Sequence, residues 1–366
     1  MAMAPGLLVA AVVAAAAALA VHVALNCPVE PVPSPAPPTS RYPPNNLLQR
    51  LEKLGEGALD APEDVYVDAA AAAYTATRDG WLQRMHPGNG SWERWRFVGG
   101  TGLLGVAPSA DGTMLVCDAD KGLLRVGEEG VTLLASEVDG TPIRFADAAI
   151  EAADGTVYFS DASTRFGFDR WFLDFVEARP TGRLLRYDPR TGETSVVLAG
   201  LAFANGVALP RDEAFVVVCE SARFRCLKVW LKGEKAGQAE TFVDNLPGSP
   251  DNIRLGSDGS FWIALIQMRS PWIDLMNRWS LTKRVVASFP TLLERVKATA
   301  KGAMVAQVSE EGKIMRVLDD SEGKVINFIT SVTEFNGDIF LGSLSTNFVG
   351  KLSLARVTQE QDAVSS

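Results

Sequence analysis

Histidine is almost missing from this chain: His22 and His86 are the only two in 366 residues. Cysteine is sparse as well. Cys27, Cys117, Cys219 and Cys226 form no CxxC pair and no His/Cys cluster, so a zinc site of the usual kind is unsupported. No Lys/Arg cluster interleaved with aromatics occurs, and a net charge of −9 argues against a polyanion-binding surface. Nucleic acid is therefore not an expected partner.

What is present begins with residues 7–25, LLVAAVVAAAAALAVHVAL, an apolar run broken only by His22 and long enough to span a bilayer as a helix. No Lys or Arg precedes it, so flanking charge specifies its orientation poorly. Two readings stand: an uncleaved signal anchor, or a signal peptide cleaved near Ala18-Leu19-Ala20. Residues 1–27 are assigned to this segment and 28–58 to a linker, whose PVEPVPSPAPPTSRYPPNN stretch favours an extended polyproline spacer. A propeller domain over 59–354 and a polar tail over 355–366 complete the division.

Two features place that domain in the secretory lumen. Asn89-Gly90-Ser91 is a glycosylation sequon in a Gly/Pro-rich turn. Cys219 and Cys226 flank a turn, and a four-residue loop over 221–224 sets them directly opposite each other, either as a disulfide or as two buried thiols. Endoplasmic reticulum, vacuole and extracellular space all remain open as destinations. The membrane is a partner through the N-terminal segment, if that segment is retained.

A cassette of small-residue turn, apolar run, second turn and second run recurs along the chain. It reads GVAPSADGTMLVCDADKGLLRV from Gly105, AAIEAADGTVYFSDAS from Ala148 with GRLLRYD from Gly182, and GVALPRDEAFVVVCESARFRCLKVW from Gly206. It returns as IRLGSDGSFWIAL from Ile253 and, more degenerately, as VTEFNGDIFLGSLSTNFVGKLSL from Val332. A lone hairpin pair cannot bury its own apolar face, so the repetition predicts a six-bladed β-propeller. The blades are expected near 63–98, 103–137, 144–198, 201–243, 249–317 and 324–354.

Two segments interrupt the pattern with helical spacing of apolar residues: 169–179, DRWFLDFVEAR, and 271–301, PWIDLMNRWSLTKRVVASFPTLLERVKATAK. They carry Trp171, Trp272 and Trp279. Three readings are open: a lid over the propeller mouth, helices packed on the blade flanks, or membrane contact through Trp272, Ile273, Leu275, Met276 and Trp279.

Residues at blade starts point at the central channel and can meet despite wide separation in sequence. Glu63, Asp147, Asn205 and Asp251 occupy one phase in four blades. Each is also an ordinary turn residue by type. Together they predict an oxygen-only cluster for a divalent metal, Ca²⁺ ahead of Mg²⁺.

The runs FADAAIEAADGTVYFSDAST, LAFANGVAL and GSPDNIRL resemble the plant strictosidine synthase-like proteins, relatives of adipocyte plasma-membrane-associated protein, paraoxonase and the gluconolactonase regucalcin. The resemblance spans about 59–354. It implies a six-bladed propeller, a secretory address and one of two chemistries. In strictosidine synthase a Glu near the last blade serves the condensation of tryptamine with secologanin, and here Thr330 falls at that position, with Glu334 four residues on. Threonine has no ionisable base to offer.

The hydrolytic relatives hold a divalent metal in the channel. Glu63, Asn205 and Asp251 match their ligand positions, with Asp147 and Asn252 adjacent. Ala146 stands where an Asn often lies, and Leu104 where paraoxonases place a His, so a His dyad is impossible and any base must be a carboxylate or metal-bound water. The sequence thus leads to a lumenal, metal-dependent hydrolase of small lactones or esters with Asp251 as base. A strictosidine synthase-type condensing enzyme and a non-catalytic ligand-binding propeller are the alternatives.

Overall fold

The computed structural model describes residues 5–34, 38–39 and 42–358. The polar tail from 359 onward lies outside them. Six four-stranded antiparallel sheets form the blades of a β-propeller, over 65–97, 103–135, 146–201, 204–243, 249–320 and 329–353. The fourth strand of blade 6 is supplied by Glu52–Leu54, ahead of blade 1 in the chain, paired with Val349–Ser353 in the register Glu52↔Lys351 and Leu54↔Val349. First strands of successive blades touch one another, and that of blade 6 meets that of blade 1, closing the ring.

The turn chemistry is written in the repeats. In five blades the first hairpin places an Asp whose carboxylate accepts the N–H two residues on: Asp68 from Ala70, Asp111 from Thr113, Asp154 from Thr156, Asp212 from Ala214 and Asp258 from Ser260, each at 2.9 Å. Side chains between blades are apolar. Phe215, Val217 and Phe242 of blade 4 bury against Phe261, Ile263 and Val308 of blade 5, so the core is a set of radial seams. Cys219 and Cys226 are cross-strand partners joined by a disulfide.

Among the described residues, five α-helices lie outside the sheets, and residues 354–358 are helical as well. α1 (Pro5–Asn26) is apolar and almost wholly exposed along its length. α2 (Trp171–Glu177) joins the second and third strands of blade 3. α3 (Pro271–Asn277), α4 (Ser280–Ala287) and α5 (Pro290–Lys297) occupy the equivalent connection in blade 5. The start of α3 is set by Ser270, whose hydroxyl accepts the Ile273 N–H, with Pro271 at the first helical position. α2 and α3–α5 share one apolar cluster with Val29, and α2 touches α4.

The segment after α1 is strapped across these helices. Val32 donates its N–H to the Glu177 carbonyl at 3.0 Å and accepts from Lys283 Nζ at 2.9 Å, while Glu30 pairs with Arg179 at 2.9 Å. The last turns of α1 rest on the same cap: the His22 ring stacks on Phe289 with centroids 4.4 Å apart.

Candidate functional site

In blades 2 to 6 the first strand breaks register at one phase, between Leu103 and Val106, Ala146 and Ala149, Ala204 and Val207, Pro250 and Ile253, and Ile329 and Ser331. A β-bulge re-aims side chains. The bulged positions hold Leu104, Asp147, Asn205, Asp251 and Thr330, and Glu63 stands just before the first strand of blade 1. Five of these, all but Thr330, line one chamber on the axis. Thr330 closes the ring by donating its hydroxyl to the Glu63 carbonyl at 2.6 Å.

Close approach of neighbouring blades is possible because glycine follows two of these residues. A Cβ on Gly105 would lie 2.4 Å from the Asp147 carbonyl oxygen, and one on Gly206 2.4 Å from that of Asp251.

Two residues ahead of three bulged positions stand Phe145, Phe203 and Phe328, which form a second tier above the polar floor. Phe145 and Phe203 meet edge-on at 5.4 Å, Phe175 of α2 packs on Phe203 at 5.6 Å, and Trp171 of α2 lies 5.6 Å from Phe328. Between floor and wall the chamber has about 30 Å³ of free volume, room for one or two waters. Outside it, on the far side of Phe175 and Met268, an open vestibule of about 650 Å³ is walled by α3, α2 and the strap.

The floor is densely acidic and buried. Burial raises the Glu63 carboxyl well above its ordinary range, with Asp64, Asp251 and Asp147 adding repulsion. Burial likewise raises Asp251, reinforced by Asp147 and offset by a hydrogen bond from Asn205. Asp147 is pushed up to about 8 by burial, against the pull of Arg78. Arg78 is the nearest cation, donating to the Thr101 carbonyl and stacking at 4.0 Å over Phe168. One layer below the floor, Asp64 pairs with Arg254 and accepts the Val106 N–H.

The expected Ca²⁺ site is not formed. Among the described residues no group of three or more His, Cys, Asp or Glu side chains is placed to hold a metal ion. The partners of the proposed ligands explain this. Asn252 turns its amide donor onto Glu63 Oε1 at 3.0 Å and Asn205 donates to Asp251, so side chains of the would-be ligand set are engaged with one another. The metal-dependent hydrolase expected from the sequence therefore loses its ligand set.

The structure still gathers Glu63, Asp147, Asn205 and Asp251 around one space, but as a hydrogen-bonded acid cluster. Asn252 serves that cluster as a donor. Glu334 does not stand in for the carboxyl missing at Thr330: it accepts from Trp262 Nε1 at 2.8 Å and from Ser257, away from the chamber. Arg78 and the aromatic tier escaped the sequence reading. The Phe-Ala pairs at 145–146 and 203–204 were the available signal for the latter.

Comparison with known proteins follows this geometry. The family model described as strictosidine synthase matches residues 147–234, and that described as strictosidine synthase-like, N-terminal, matches 41–85. Protein STRICTOSIDINE SYNTHASE-LIKE 4 of Arabidopsis thaliana is 34% identical over 320 residues, covering 85% of this chain and 84% of its own. The adipocyte plasma membrane-associated protein of Rattus norvegicus is 32% identical over 336 residues, covering 86% and 89%. Among solved structures, a gluconolactonase from Xanthomonas campestris superposes with a TM-score of 0.59 at 15% identity, covering 88% of this chain and 98% of that one, a likeness of fold.

Proposed function

Because the chain belongs to the strictosidine synthase-like family and its chamber joins an aromatic wall to buried carboxyls, we propose that it acts on a small apolar molecule by proton transfer at the propeller axis. One observation carries this reading. Glu63 Oε2 and Asn205 Oδ1, both on chamber-lining residues, are buried without a hydrogen-bond partner in the protein. An unanswered buried polar atom costs about 1–3 kcal/mol, which a ligand group placed there would offset.

Asp251 is the residue we assign to proton transfer. Its affinity for the proton, raised by burial and by the neighbouring Asp147, suits it to donate to an oxygen of the bound molecule. The conjugate carboxylate then takes a proton back, with Asn205 holding its orientation. That sequence suits hydrolase-type or lyase-type chemistry. The apolar α1, the disulfide and a relative named for the plasma membrane support a secretory, membrane-linked location.

Turnover of an ester and lactone panel by the purified chain, compared with Asp251→Asn, tests the assignment. The expected loss in kcat/KM is about 100-fold or more. Turnover indifferent to the substitution would remove Asp251 from the mechanism. A second reading, a non-catalytic binding propeller, is favoured by the small chamber. Saturable change in Trp171 emission with no turnover of any panel member would decide for it.

A further inference from the structure

The cap formed by α3 and α4 has two apolar faces where a water-exposed cap needs one. Ile273, Met276 and Ala287 pack inward with α2 and the strap. On the opposite side Trp272, Leu275, Trp279 and Leu281 are 61%, 45%, 52% and 68% exposed. Adjacent exposed aromatics and leucines on short helices mark a surface that something covers.

Charge narrows what that is. Between residues 269 and 301 the chain carries seven basic residues, of which Lys283 is buried, and two acidic ones, so the segment presents a net positive charge while the chain as a whole carries −9. A strongly acidic protein thus presents a basic, aromatic cap, a pairing suited to anionic lipid headgroups with tryptophan at the interface. Position agrees. α1, with 21 residues long and apolar enough to cross a bilayer, leaves from this same cap, tied to it by the His22–Phe289 stack and by His22 Nε2 at 3.0 Å from the Ser288 carbonyl.

We propose that the exposed face of α3 and α4 docks on an anionic lipid bilayer beside α1, with Trp272 and Trp279 at headgroup depth. The vestibule, whose lining includes Leu275 and Arg278, then opens beside the membrane surface, where an apolar ligand concentrates. The docking does not depend on the chemistry of the chamber.

The test uses the full chain reconstituted in phosphatidylcholine–phosphatidylserine vesicles that carry a shallow doxyl-labelled lipid. α1 contains no tryptophan, so its insertion alone gives no quenching. The expected result is clear quenching of wild-type emission, with more than half of it lost in a Trp272→Phe/Trp279→Phe variant that keeps the wild-type melting temperature, and weaker quenching when phosphatidylserine is omitted. Equal quenching in variant and wild type overturns the proposal. Cross-linking of a photoreactive residue at Leu281 to a second copy of the chain, in place of lipid, also overturns it.

Discussion

The seams between blades and the axis they surround are both buried, yet they are built on opposite terms. In the seam between blades 4 and 5, Phe242 and Phe261 meet edge-on at 5.4 Å within an apolar cluster. At the axis, at the first strands of the blades, carboxyls crowd one another and two polar atoms lack partners. The seams lower the free energy of the fold. The axis raises it, and the surrounding seams are what hold such a cluster together.

Loss of a seam side chain is the largest expected effect. Phe261→Ala leaves a cavity between two blades, and denaturant titration is expected to show about 3–5 kcal/mol of lost stability. A loss below about 1 kcal/mol would mean that the seams are not where stability resides.

The axis predicts a change of opposite kind. Asp147 titrates near 8 in the folded chain, above its ordinary value, so the folded state binds more protons than the unfolded one between those limits. Its stabilising contribution is whole below the ordinary carboxyl range and drains away as pH rises toward 8, so the melting temperature should fall from about pH 5 to about pH 8. Asp174, held near 7 by burial, acts in the same direction. Asp147→Asn should flatten the decline and exceed wild type at the alkaline end by at least about 1 kcal/mol, read from melts across pH. A variant with the wild-type slope would show that this carboxyl ionises freely.

The smallest effect is expected far from both regions. Asn89 sits on an exposed turn, its side chain accepting from Ser91 N–H at 3.0 Å. Expressed in a secretory cell, the chain should shift in mobility on glycosidase digestion, and Asn89→Gln should abolish the shift while leaving the melting temperature within about 1 °C. No shift in the wild type would remove the glycan.

The blades were legible in the sequence because most first hairpins spell out their own turn. An Asp accepts the N–H two residues on, and Gly112, Gly155 and Gly259 supply the positive φ that follows. The axial residues were legible by phase, since Asp147, Asn205 and Asp251 recur at the same offset from their strands. Phase does not report which lone pairs are already taken, and so the Asn252 amide on Glu63, which spoils a cation site, could not be read. Glu52–Leu54 was invisible for another reason: three residues, two of them charged, offer no alternation to recognise.

That short strand changes what the ring is. A linear stack of repeats has two free ends and frays from them, one repeat at a time. With Glu52–Leu54 hydrogen-bonded into the last blade, every blade has two neighbours, and none can leave without breaking two seams together. The propeller therefore melts as a closed hoop, with the clasp at 52–54 setting its cooperativity.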